Sequence, residues 1–162
     1  MNFLSLYKRN LIYKFKKKIQ IDRDDFESNS LDTLFNYYGS DKANIFKISN
    51  KLGHGYSKFY ENKLEKLKDK EVNILEIGSF AGASAAAFSK YFKDSKIFCF
   101  DINISNFKFE SKKIHVFGID INDEKKIKKF LNTIFINHKI DKFDLIIDDG
   151  SHNLSDIIIG LK

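Results

Sequence analysis

The sequence predicts an α/β fold built on a parallel sheet. Three observations predict it: short apolar runs that end in acids, helical patterns between those runs, and a glycine turn after the first run. The runs are Val72 to Ile77, Lys96 to Phe100, Ile114 to Ile119 and Phe143 to Ile147. The first is apolar almost throughout, as a strand buried on both faces is. After it, Ser84 to Phe92 carries Ala85, Ala86, Ala87 and Phe88 toward the sheet. Asp123 to Asn137 carries Ile127, Phe130, Leu131 and Ile134 on one helical face. Strand and helix in alternation imply right-handed crossovers and a parallel sheet.

Upstream of the sheet the pattern is helical. Phe3, Leu4, Leu6, Tyr7, Leu11, Phe15 and Ile19 recur at helical spacing over residues 3–19, with Lys8, Arg9, Lys14 and Lys16 to Lys18 between them. A basic amphipathic helix of this kind can lie on anionic lipid. A flanking helix packed on its own domain is the preferred reading. Asp22 to Ser30 reads as a linker, so residues 1–30 form a flank and residues 31–162 the domain. Leu31 to Tyr38 is a helix stopped by Gly39. A further helix holds Phe59, Tyr60 and Glu61 and runs to about Lys68. Leu154 begins a last helix.

Composition narrows the class. The chain has 162 residues, 43% of them apolar and 31% charged, enough for one domain with a core. The formal charge of +6 comes without a basic and aromatic cluster, so no nucleic-acid partner is expected. Cys99 stands alone in an apolar run and is expected to be a buried strand thiol; a disulfide framework is excluded, which fits a cytoplasmic protein. No apolar stretch is long enough to cross a membrane. Homo-oligomerisation is left open.

The chemistry gathers at the strand ends. Glu76, Asp101, Asp120 and the pair Asp148 and Asp149 each close a run. Acids converging on one rim repel, so a ligand rich in donors, or a cation, is expected there. Asp101 stands where an acid grips a ribose diol, and Asp120 where one accepts from an adenine amino group. The turn Gly78-Ser79-Phe80-Ala81-Gly82 departs from the dinucleotide pattern: Phe80 replaces the glycine that lets backbone approach a pyrophosphate, and Ala83 replaces the third. A smaller zwitterionic ligand with a sulfonium suits it better. Among the histidines, His115 and His138 are read as structural and His54 as part of a covering loop.

Several segments together resemble class I S-adenosylmethionine-dependent methyltransferases, in particular the mycinamicin-type sugar O-methyltransferases. They are Gly39-Ser40-Asp41-Lys42, His54-Gly55-Tyr56, Tyr60-Glu61, Leu75-Glu76-Ile77-Gly78, Asp101, and Ile147-Asp148-Asp149-Gly150-Ser151-His152. The resemblance implies a Rossmann-like sheet and an S-adenosyl-L-methionine cofactor. It implies that Gly78, Ser79 and Gly82 cradle the methionine part and Asp101 the ribose, with Glu76, Ile102 and Asp148 also on the cofactor side. Ser40, Lys42 and Tyr56 would close over it. Asp149 would ligate magnesium beside the acceptor, with Glu61 as a further ligand, and His152 would be the general base. The acceptor would be a hydroxyl of a sugar or glycosylated small molecule. The resemblance does not reach the first thirty residues, and the chain carries only the first four strands of the class. A truncated fragment without turnover is the alternative reading.

Overall fold

The computed structural model describes residues 11, 15, 17–46 and 51–150. The amphipathic pattern over 3–19 falls mostly outside them, as do His152 and the helix expected from Leu154. In chain order the elements are β1 (Ile19–Gln20), α1 (Leu31–Tyr38), β2 (Ile45–Phe46), β3 (Lys51–Leu52), α2 (Ser57–Leu64), β4 (Glu71–Ile77), α3 (Ala83–Tyr91), β5 (Asp94–Asp101), β6 (Phe109–Glu110), β7 (Ile114–Gly118), α4 (Glu124–His138) and β8 (Leu145–Asp148).

The principal sheet has the order β7-β5-β4-β8, and every pairing in it is parallel. An all-parallel sheet with helices over both faces is the Rossmann-like arrangement expected. The pleat of β4 and β5 sorts their side chains into two cores. Val72, Ile74, Ile97 and Cys99 point to one face, where they meet α1 through Leu31, Leu34 and Phe35, and α3 through Ala85 to Phe88. Leu75, Phe98 and Phe100 point to the other face and meet Ile134 of α4, with Ile127, Phe130 and Leu131 against them. The alanines of α3 let that helix lie close to the sheet, and Phe88 and Phe92 are fully buried beside them. Cys99 is the buried thiol expected.

Local signals set the helix ends. Ser30 caps α1, accepting the Thr33 N–H through its side chain, and Gly39 ends it at φ 80°. Asp123 caps α4 by accepting from the Lys126 N–H at 3.0 Å. The helix expected to run to Lys68 tightens after Leu64 into a 3-10 turn, Glu65–Leu67.

Residues 19–30 differ from expectation. Ile19 opens strand β1, which pairs in parallel with β6, instead of ending a helix. The Asp22 to Ser30 stretch is packed on the domain rather than looping free. Ile21 is 2% exposed. Asp22 accepts from Ser111 Oγ at 2.6 Å and from the Lys112 N–H at 2.9 Å. Phe26 stacks on Tyr37, and Tyr38 Oη donates to Asp24 at 2.9 Å. Asp22 and Asp24, which look like solvated linker residues, serve as acceptors for distant partners.

His115 and His138 are structural in placement. Their rings lie 4.3 Å apart, both against Phe98, where α4 ends on the sheet. Burial, then His138 and Lys96, hold the His115 imidazole below its ordinary value of 6.5. A lowered folded value means a contribution to stability that is complete above 6.5 and lost as pH falls through the folded value. Thermal unfolding should therefore shift down on acidification below about 6.5, and His115→Phe should flatten that decline. Equal slopes for both proteins would refute the assignment.

Candidate active site

The switch in strand order falls between β4 and β8, and a crevice outside the carboxyl ends of the strands is where such sheets take ligands. A cavity of about 340 Å³ lies there, lined by Ile77, Gly78 and Phe80 after β4, by Phe100, Asp101 and Ile102 at β5, by Ile119 to Asn122 after β7, and by Asp149 and Gly150 after β8. Of the expected residues it brings together Gly78, Asp101, Ile102, Asp120 and Asp149.

Steric limits build its floor. Gly78 has φ 80°, and a Cβ there would sit 2.5 Å from the Asp149 carbonyl oxygen. Only glycine lets the turn after β4 lie against the turn after β8. Gly82 has φ 81°, with the Phe107 ring where its Cβ would be. Between them Phe80 adopts φ 45°. Its N–H donates to Asp101 Oδ2 at 2.7 Å, while Oδ1 accepts from the Asn103 N–H at 2.8 Å. Asp101 thus fixes the glycine turn while facing the cavity. Asp120 accepts from the Asn122 N–H at 3.0 Å and stays exposed. Ile102 is 75% exposed at the rim.

Glu76 corrects the picture of acids sharing one lip. It belongs to β4 itself, so the pleat sends its side chain to the same face as Ile74, beneath the cavity. It is 1% exposed. Ser84 Oγ donates to Glu76 Oε1, and Oε2 is a buried acceptor with no hydrogen-bond partner among the described residues. Burial pushes this carboxyl up, against the pull of Lys42 and Ser84.

Lys42 is also placed otherwise than as a clamp over the cavity. It is buried, with Nζ 2.5 Å from Asp149 Oδ2 and 3.7 Å from Glu76 Oε1. Burial alone would lower its pKa; Glu76 and then Asp149 reverse that and raise it, so the ammonium persists. Ser40 and Tyr56 support this lysine rather than line the cavity: Ser40 Oγ accepts from the Lys42 N–H at 3.3 Å, and the Tyr56 N–H donates to the Lys42 carbonyl at 3.0 Å. Ser79 Oγ bonds back to the Glu76 carbonyl at 3.1 Å. Asp148 is turned to the Gly150 N–H at 3.1 Å. Glu61 accepts from the Leu31 N–H at the start of α1, because that orphan donor needs an acceptor.

Phe80, Ile119, Ile121 and Asn122 line the cavity without having been expected as site residues. The signal was present, since Ile119 and Ile121 flank Asp120 and Phe80 lies between the two glycines. A larger hollow of about 690 Å³ lies between residues 21–29 and the end of α3. Lys113 there donates to the carbonyls of Ser89, Phe92 and Lys93 at 2.9–3.0 Å, which closes off a helix end rather than awaiting a ligand.

The fold is similar to that of class I methyltransferases. No family model matches the chain. A curated relative, the 8-demethyl-8-alpha-L-rhamnosyl tetracenomycin-C 2'-O-methyltransferase of Streptomyces olivaceus, is 25% identical over 122 residues, which are 71% of this chain and 28% of that protein. Thus the chain spans under a third of the relative's length. Among solved structures, MycE methyltransferase from the mycinamycin biosynthetic pathway, in complex with Mg, SAH and mycinamycin VI, superposes with a TM-score of 0.63 at 22% identity. The match covers 83% of this chain and 35% of that one. The same enzyme with Mg and SAH alone gives a TM-score of 0.54 at 22% identity, over 84% and 31% of the two chains.

Proposed function

We propose that the chain carries the cofactor half of an S-adenosylmethionine-dependent O-methyltransferase whose acceptor is a hydroxyl of a sugar or glycosylated small molecule. The observation carrying this is one cavity that unites the Gly78 turn, Asp101 and Asp120 at the strand switch. Its volume of about 340 Å³ is in the range of small-ligand sites. Phe80 occupies the place where a dinucleotide fold needs glycine, which argues against a nicotinamide. The likeness to sugar O-methyltransferases in sequence and to MycE in fold supports the same reading.

The cofactor, when bound, supplies a methyl group already activated by a sulfonium. The protein's work is then alignment and proton removal. Asp101 would accept from the ribose hydroxyls and Asp120 from the adenine amino group. His152 would take the acceptor's proton, as an imidazole can near neutrality. Magnesium is held by one or two carboxylates with waters and substrate oxygens, and on an acceptor hydroxyl it favours the deprotonated form. Asp149 is the carboxylate left for that role, and its Oδ2 already meets the Lys42 ammonium; Glu61 is committed to the start of α1, and no group of three His, Cys, Asp or Glu gathers among the described residues.

Asp101→Ala should weaken S-adenosylhomocysteine binding by roughly 1–3 kcal/mol, the scale of lost charged hydrogen bonds. Titration calorimetry measures this. Unchanged affinity would remove the ribose from Asp101 and the reading with it.

A further inference from the structure

The turn after β4 uses left-handed backbone three times: Gly78 at φ 80°, Phe80 at φ 45° and Gly82 at φ 81°. At the two glycines this conformation costs little. Phe80 is a bulky residue in a region that a Cβ disfavours. Its backbone does not ask for the side chain. The N–H that donates to Asp101 Oδ2 at 2.7 Å would be supplied equally by glycine. Strained residues of this kind cluster at ligand sites. Phe80 is half-buried and borders the cavity together with Ile77, Phe100 and Ile119. It is bonded to the carboxylate proposed to take the ribose, so it stands beside the sugar. In dinucleotide sites the glycine at this place makes room for a pyrophosphate. The charges here work in the same direction. Among the described residues lining the cavity, Asp101, Asp120 and Asp149 carry charge and no lysine or arginine joins them. Carboxylates at close range repel a phosphate.

We propose that Phe80 is a specificity-determining residue of the crevice: its ring packs on the substituent that the ribose of an adenosine ligand carries, and fills the space a diphosphate would need. The turn accepts strained backbone in order to present that ring. The site thereby takes nucleosides whose ribose substituent is a thioether or a sulfonium and turns away nucleoside diphosphates. The inference rests on the reading of this cavity as the cofactor crevice.

Calorimetric titration of the wild-type chain, Phe80→Gly and Phe80→Tyr with S-adenosylhomocysteine and with ADP, beside thermal unfolding of each, tests this. Phe80→Gly should lose S-adenosylhomocysteine affinity by roughly 10–100-fold, the scale of burying an aromatic side chain. It should bind ADP more tightly than the wild type does. Its melting temperature should stay level or rise, because glycine removes the strain. Phe80→Tyr keeps the ring and should bind both ligands as the wild type does. Equal S-adenosylhomocysteine affinity in wild type and Phe80→Gly overturns the inference alone. So does an ADP affinity in Phe80→Gly no higher than the wild type's. A fall in the melting temperature of Phe80→Gly also overturns it, since the ring would then be a structural prop. Absence of S-adenosylhomocysteine binding in the wild-type chain overturns it together with the cofactor reading.

Discussion

Lys42→Met is expected to cost about 3–5 kcal/mol of folding stability, the range for removing one partner of a buried ion pair. Glu76 is 1% exposed and its second oxygen already lacks a hydrogen-bond partner among the described residues. Without the ammonium, the serine hydroxyls of Ser84 and Ser79 are what remain to this carboxyl, and a carboxylate in that position must ionise without a counter-charge or stay protonated. The sign with pH follows. Glu76 has a folded pKa raised above its ordinary 4.5, so its contribution to stability is full below that value and is lost as pH rises through the folded one. Urea unfolding should accordingly show a larger deficit for Lys42→Met at neutral pH than in acid. Adding Glu76→Gln to Lys42→Met should recover part of the loss at neutral pH. A deficit below about 1 kcal/mol, the scale of exposed pairs, would mean that Lys42 is not the buried counter-ion.

The second large effect concerns Gly78→Ala, expected to cost about 2–5 kcal/mol. The left-handed backbone contributes about 1–2 kcal/mol for a residue with a Cβ, and overpacking about 1–3 kcal/mol. The clash is with the carbonyl of Asp149 and the Cα of Gly150, so no rotamer change relieves it. Relief would separate the turns after β4 and β8, and S-adenosylhomocysteine binding should fall with stability. Gly118→Ala is the control, since its Cβ would meet only the Ile104 side chain, at 3.8 Å. Chemical unfolding and calorimetry on the two variants decide the point; similar losses for both would detach the effect from the crevice.

Legibility followed pattern length. The sheet strands and the helices α1, α3 and α4 were readable within a residue or two because each spans enough positions for a period to repeat. The two-residue strands β1, β2, β3 and β6 hold no period, and their pairing is set by contacts distant in sequence. Asp22 looked like linker because its partners, Ser111 and Lys112, lie about ninety residues on. At the site, Gly78, Asp101, Asp120 and Asp149 were readable as strand-end residues, and the cavity gathers them. Glu76 was grouped with them by position in the run, though its spacing from Ile74 already fixes the opposite outcome. Lys42 was named only through the resemblance, as closing over the cofactor, and its burial was not legible because a lysine is buried only against counter-charges, here distant in sequence.

One tie in the crevice has a bearing on how the chain matures. Lys42 and Asp149 are 107 positions apart. Chains emerge from the ribosome amino end first. The lysine is therefore made long before the acid that will hold it, and in the interval Glu76 and Asp41 are the carboxylates that act on its charge. It closes a loop of 107 residues, so the pairing of α1 with α3 and of β4 with β5 can precede it. A nascent domain would possess the part of its core built by α1, α3, β4 and β5 before this tie closes.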